Sequence, residues 1–409
     1  MEEKEIVEAE PILKDAVSAE NAFSREIIVG AEVGSYEYND GRYMDLLYKH
    51  FNAVTLGNEL KLDCMTGYHD GNRTPLGLET VLFKGREIVV PRLDHSRADR
   101  ILDGIAARNA SHPEQKLKVR GHVFVWHSQA PEWFFHEDYN ASKPYAGKDE
   151  MNVRLEWYIK TMLSYYTDPA TETGRKYASL FYGWDVVNEA VSDATGSYRT
   201  DTEAGSDKLS DPTHGTKSSW WHVYKSNEFI INAFRYANAY APASLELYYN
   251  DYNECDPKKR AGIVELLKAV KDAEGTRISA MGMQGHYDMD YPSVSLVKDA
   301  ARAYCAIVGS VMLTEVDLKA SKGFNGTVME GEYKRQAVRY KALYDSLLEL
   351  DKEDGVTVSG INFWGITDPY SWLQTFSGVG GGADGTKRQC PLLFDGDYRA
   401  KPAFYSFIK

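Results

Sequence analysis

The chain has 409 residues, 43% hydrophobic and 26% charged, the proportions of an ordinary globular protein rather than a disordered, collagenous or low-complexity one. Its 47 basic residues stand against 60 acidic ones, a formal charge of −13 that tells against nucleic acid and anionic membrane as partners, because both select a basic surface. No apolar run reaches 18 residues, so no segment reads as a membrane span.

Residues 1–25 are acidic with a helical flavour. We read them as a segment that packs on, or extends from, a catalytic domain covering 26–409. The opening MEEKEIVEAE has neither the basic region nor the apolar region of a signal peptide. As written, that implies a cytoplasmic protein, or an extracellular one if a leader has been removed. Short β-branched runs then recur at 27–32, 51–56, 119–126, 181–188, 245–250, 278–284, 310–315 and 358–364. Several gaps between them are helical in period: Ile230, Ala233, Phe234 and Ala237; Ile263, Leu266, Leu267 and Val270; Tyr340, Leu343, Tyr344 and Leu347. Eight strands alternating with helices predict the α/β class and a single (β/α)8 TIM barrel. Two connections, about 64–95 and 190–222, are too long for simple turns. They follow the second and fourth strands, so they are expected as enlarged loops on the C-terminal face, where barrels build their sites. Cys64, Cys255, Cys305 and Cys390 fit no zinc spacing or disulfide framework. We read them mostly as buried thiols and leave one disulfide open.

The chemistry-bearing residues sit at strand ends. The third strand carries His122, Phe124 and Trp126 on one face, followed by Gln129. The fourth ends in Asn188-Glu189, the sixth in Gln284-Gly285-His286, the seventh in Glu315-Val316-Asp317 and the eighth in Trp364. The fourth and seventh strands face each other across a barrel mouth. Two carboxylates across a cleft are the minimum for glycoside hydrolysis, one giving a proton to the leaving oxygen and one ionised to attack or to activate water. Taken singly, a strand-end Glu is more often a salt-bridge partner, and His122 a satisfied core histidine. The pair inside polar-aromatic clusters shifts the balance to function. No HExxH is present, and His122 with His127 is not a usual ligand pair, so no metal is expected. Gly380–Gly385 formally fits GxGxxG but follows no strand, so it implies no dinucleotide, and no cofactor is expected. Gly-x-Ser-x-Gly is absent.

Six segments together resemble the family-10 glycoside hydrolases, the (β/α)8 endo-β-1,4-xylanases: RGHVFVWHSQAPEW (120–133), WDVVNEAVSD (184–193), YYNDYN (248–253), MQGHYD (283–288), VMLTEVDL (311–318) and FWGITDPYSWL (363–373). The resemblance covers about residues 25–409. It implies a retaining enzyme acting on xylan or xylo-oligosaccharides, with Glu189 as acid/base and Glu315 as nucleophile. It implies that Asn188 binds the 2-hydroxyl at the cleavage point and that His286, oriented by Asp317, hydrogen-bonds the nucleophile. It places His122, Trp126, Gln129 and Gln284 on the glycone side, and Asn58 and Lys61 further from the cleavage point. Trp364 and Trp372 become an aromatic floor and wall, with Trp372 crowding out a hexose hydroxymethyl. The chain departs from the common pattern at Gly57, where that pattern has Glu. A contact with the second glycone sugar is then absent or supplied by Glu59. The oligomeric state is not legible, with a monomer as the working expectation. A β-1,4-glucanase or transglycosylase on the same scaffold, and a sugar-binding barrel without turnover, stay open as alternatives.

Overall fold

The computed structural model describes residues 11–18, 22–67, 74–205, 215–322, 324, 326, 328–375 and 389–408. The strands in chain order are β1 (Ile28–Val33), β2 (Ala53–Leu56), β3 (Leu78–Phe83), β4 (Arg86–Pro91), β5 (Lys118–Trp126), β6 (Phe181–Asn188), β7 (Glu246–Asp251), β8 (Ala280–Met283), β9 (His286–Tyr287), β10 (Ser310–Leu318) and β11 (Val358–Phe363). Eight of them pair in parallel in the order β11-β1-β2-β5-β6-β7-β8-β10, and a further β10–β11 pairing closes the ring. This is the expected (β/α)8 barrel. All eight expected strands are present, with ends shifted by a few residues.

Strands covered on both faces read as largely apolar runs, and all nine residues of β10 are buried, including the polar Thr314, Glu315 and Asp317 towards its C-terminal end. The three periodic stretches form the helices Glu228–Tyr240, Pro257–Asp272 and Met329–Leu350, and all twelve of the patterned side chains are buried. Asp256 starts the second of these helices, its carboxylate accepting from the N–H groups of Lys258 and Lys259, with Pro257 in the first turn. In the N-terminal segment, Leu13 and Val17 are fully buried and the Lys14 ammonium donates to Tyr48 O at 2.9 Å, fixing this stretch to the helix Gly41–His50. No helix of the described residues is long and apolar enough to cross a membrane.

The first long connection is not merely a polar loop. It holds the antiparallel hairpin β3–β4, turned by Lys84 and Gly85 with φ of 49° and 77°. Two positive-φ residues match the right-handed twist of a hairpin, and the readable signal was the pair of β-branched and aromatic runs, LETVLF and REIVV, on either side of Lys84-Gly85. The four cysteines are free thiols, with Cys64, Cys255 and Cys390 buried and Cys305 partly so. The glycine-rich stretch Gly380–Gly385 lies outside the described residues, as do residues 68–73 and 206–214 of the two long connections.

Candidate active site

Glu189 follows the last residue of β6 in a left-handed conformation, φ 54°, with its N–H on Asn250 O at 2.9 Å. That backbone turns the side chain to the barrel mouth. Its Oε2 accepts from the Trp126 indole at 2.8 Å, and its Oε1 from the Gln284 amide at 2.9 Å and the Asn188 amide at 3.2 Å. Glu315 is 4% exposed on β10, its Oε1 accepting from Asn250 Nδ2 at 2.8 Å and its Oε2 lying 3.2 Å from His286 Nε2. Asn250 also donates to Asn188 Oδ1 at 2.9 Å, where Gln284 Nε2 donates too at 3.1 Å. One continuous array of carboxamides therefore joins the two carboxyls. Gly282 makes room for it, since a Cβ there would lie 2.3 Å from Asn250 Oδ1.

Behind Glu315, His286 Nδ1 lies 2.9 Å from Asp317 Oδ1, and Asp317 Oδ2 accepts from the Trp372 indole at 2.8 Å. Burial alone would raise the Glu315 carboxyl. The His286 hydrogen bond and the fields of His122, His286 and Arg120 outweigh it and hold the group well below the usual glutamate range. Burial disfavours a charged His286, but Asp317 and Glu315 overcome that and move it above the ordinary histidine range. The base of the site is a second buried array. His122 Nδ1 lies 2.7 Å from Asp185 Oδ2, and Arg120 reaches Asp185 Oδ1 at 3.4 Å and Thr314 O at 3.0 Å. His122, Asp185 and Glu315 bring ligand-type atoms within 4.8 Å of one another. The Asp185 oxygens already face His122 and the fully buried Arg120 guanidinium, so a metal ion there would sit against a fixed positive charge.

The remaining expected residues converge. The Trp364 ring meets His122 edge-on at 5.6 Å, and Trp372 meets His286 at 5.1 Å. On the β2 side the Lys61 ammonium donates to Gln129 Oε1 at 2.7 Å and Asn58 Oδ1 at 3.1 Å, and lies 4.9 Å over the Trp126 ring. Glu59 does not replace the missing side chain at 57. It is 4% exposed, turned into the protein, and accepts from the Ser35 N–H at 2.7 Å, the Ser35 hydroxyl at 2.6 Å and the Asn58 N–H at 3.1 Å.

Four residues escaped the sequence reading as individuals. Asn250 lies in a quoted segment, but nothing local marks it as the link between Asn188 and Glu315. Arg120 and Asp185 pair across neighbouring strands. Arg199, in the second long connection, clamps Glu189 O at 2.9 Å and Thr216 O at 3.1 Å. That connection thus braces the backbone of Glu189, and Trp220 adds an indole hydrogen bond to Trp126 O at 3.1 Å.

A family model described as glycosyl hydrolase family 10 matches residues 17–409. Endo-1,4-beta-xylanase Y of Acetivibrio thermocellus is 31% identical over 407 residues, covering 98% of this chain and 33% of that protein. The chain thus spans about a third of that relative's length. A beta-1,4-xylanase of Dictyoglomus thermophilum is 31% identical over 401 residues, 96% of this chain and 90% of the other. The crystal structure of N-terminal modules of a Clostridium thermocellum endo-1,4-beta-D-xylanase, complexed with xylohexaose, superposes with a TM-score of 0.74 at 29% identity, covering 98% of this chain and 68% of that one. The barrel, its two linked carboxyls and these likenesses agree: the chain belongs to glycosyl hydrolase family 10.

Proposed function

We propose that the protein is a retaining endo-1,4-β-xylanase that cleaves internal bonds of xylan or xylo-oligosaccharides, with Glu315 as nucleophile and Glu189 as acid/base. The observation that carries this reading is the carboxamide array that fixes Glu189 and Glu315 relative to each other before substrate arrives. Both names and structures of the relatives agree with the substrate class.

In the first half-reaction a Glu315 oxygen attacks the anomeric carbon. The glycosidic C–O bond breaks, and its oxygen takes the proton of Glu189. In the second, Glu189 removes a proton from water, the water oxygen attacks the same carbon, and Glu315 leaves as a carboxylate. Two inversions retain configuration, a route that needs carboxyls about 5–5.5 Å apart. His286 and Asn250 keep Glu315 ionised and aimed. Asn188 and Gln284, already oriented by Asn250 and Glu189, present amide groups to the sugar at the cleavage point. Trp364 supplies the floor. Trp372, locked by Asp317, walls the site against a hexose hydroxymethyl.

A product time course on xylohexaose, soluble xylan and carboxymethyl-cellulose tests the reading. Internal cleavage of both xylose substrates with cellulose untouched is expected. Cleavage of cellulose at a comparable rate would replace it with a β-1,4-glucanase, and binding of xylohexaose without turnover would leave a sugar-binding barrel.

A further inference from the structure

Glu32 is a further acidic side chain at the barrel mouth, and the chemistry above does not use it. It lies on β1 in register with Thr55 of β2. Gly30, two residues earlier on the same face, looks into the barrel, since a Cβ there would meet the Asn362 side chain at 2.2 Å. Glu32 therefore points inward at the C-terminal end of its strand, where barrel sites are built. Its carboxyl crosses onto the neighbouring strand end: a Cβ at Gly57 would lie 2.0 Å from Glu32 Oε1 and 2.9 Å from its Cδ. The glycine at 57 and the glutamate at 32 are thus one physical unit, a carboxyl reaching from β1 into the space that a side chain after β2 would fill.

Glu32 is half-buried, and no described residue hydrogen-bonds its carboxyl. Its charged neighbours are Glu37 and Glu59 from the β1 and β2 loops, Lys61, and Glu315 across the floor. The Lys61 ammonium in turn feels Asp63, Glu315, Glu189 and Glu32. Glu32 therefore belongs to the same floor as the catalytic pair, on the Asn58–Lys61 side. A half-buried carboxyl without a partner costs free energy unless something completes its hydrogen bonding.

We propose that Glu32 binds the second glycone sugar by hydrogen-bonding its hydroxyls, in place of a side chain that position 57 lacks. The inference rests on the glycoside hydrolase reading above and concerns a residue which that reading leaves idle. Burial and the charges of Glu37 and Glu59 push the Glu32 carboxyl well above the usual range. A protonated carboxyl offers a donor as well as an acceptor, which suits a pair of adjacent hydroxyls.

The test compares 4-nitrophenyl xyloside, with one sugar, against 4-nitrophenyl xylobioside, with two, alongside calorimetric binding of xylotriose. In Glu32→Ala the xylobioside-to-xyloside ratio of kcat/KM is expected to fall about 10- to 100-fold and xylotriose binding to weaken by a similar factor, the range for losing a strong hydrogen bond. Glu32→Gln, which keeps the volume at the strand end, should lose less. Glu32→Ala combined with Gly57→Glu should recover part of the loss by returning a carboxyl from the adjacent strand. An unchanged ratio with unchanged xylotriose affinity would overturn the proposal, as would equal loss on both substrates in all three variants. If the wild-type protein binds xylotriose but cleaves neither aryl glycoside nor xylohexaose, the hydrolase reading falls, and the affinity comparison still decides Glu32.

Discussion

The two halves of the cleft floor treat their carboxyls in opposite ways. Around β6, β7, β8 and β10 every oxygen of the reactive pair is occupied, Glu189 by Trp126, Gln284 and Asn188, and Glu315 by Asn250 and His286. Around β1 and β2 the same residue type is crowded and unevenly satisfied. Glu59 takes three donors and Glu37 takes the Gly34 N–H at 3.1 Å, while Glu32 takes none from the described residues. The difference follows from what each half has to do. Attack and proton transfer need groups fixed before the substrate arrives, because reorganisation during the reaction raises the barrier. Sugar binding needs hydrogen-bonding capacity left open for the ligand. On the function proposed above, the filled array goes with the chemistry and the unfilled carboxyl with sugar binding.

The first way to break this comparison is at the reactive pair. Glu315→Ala should lower kcat by roughly 10⁴-fold or more on any substrate, because no other group in the array replaces the covalent step. Near-wild-type turnover would remove the nucleophile from β10. Glu189→Ala should cost on the order of 10²- to 10⁴-fold on xylan. The cost should be much less on aryl glycosides, whose leaving group needs no proton, and azide should restore part of it. Equal losses on both substrate types would count against an acid/base role. His286→Gln is a milder blow with a distinctive signature. His286 lowers the Glu315 carboxyl, and Glu315 must be ionised to attack. Wild-type activity is therefore expected to persist to pH values below the ordinary glutamate range, and losing the imidazole should move the acid limb of kcat/KM to higher pH. A rate reduced at every pH with an unmoved limb would make His286 a packing residue only. Trp372→Ala should change the ratio of glucose-based to xylose-based turnover by about tenfold in favour of glucose, the scale of one pocket-wall group. A constant ratio would separate the indole from sugar selection.

The filled half was far more legible in sequence than the unfilled half, and the reason is physical. Asn188-Glu189, Gln284-Gly285-His286 and Glu315-Val316-Asp317 carry their chemistry on consecutive or alternate residues at strand ends, so period and residue type expose them together. The eight strands were readable for the same reason, as short apolar runs between helical periods. What stayed hidden depends on barrel register. Arg120 pairs with Asp185 only because β5 and β6 lie side by side. Asn250 becomes a hub only because Gly282 on β8 leaves space for it. The expected end of the seventh strand at 315 fell three residues short. Asp317 and Leu318 continue in register with His286 and Tyr287 after Gly285 turns at φ 80°, and nothing in VMLTEVDL announces that pairing. In the sequence Glu32 stands only at the end of an apolar run, and the contact missing at Gly57 reads as absent or supplied by Glu59. The relation proposed here, Glu32 reaching into the space at Gly57, runs across two strands, which a linear reading does not see.

The smallest expected effect sharpens the comparison most. Gly57 is not in the left-handed region, so alanine there meets no backbone penalty. Its methyl carbon would nevertheless sit 2.0 Å from Glu32 Oε1, and the atoms it meets are the far end of a flexible side chain. The carboxyl should swing aside while the barrel stays folded, with stability changed by less than about 1 kcal/mol. If the unfilled half works through Glu32, Gly57→Ala should reduce turnover of xylobiose-length glycones by a few-fold at most. Added to Glu32→Ala it should then cost nothing further, because the group it displaces is already gone. Additive losses in the double variant would mean that residue 57 touches substrate by itself. A large loss in stability would mean that β1 and β2 are as tightly pre-built as the reactive half, and the contrast between the two would fail.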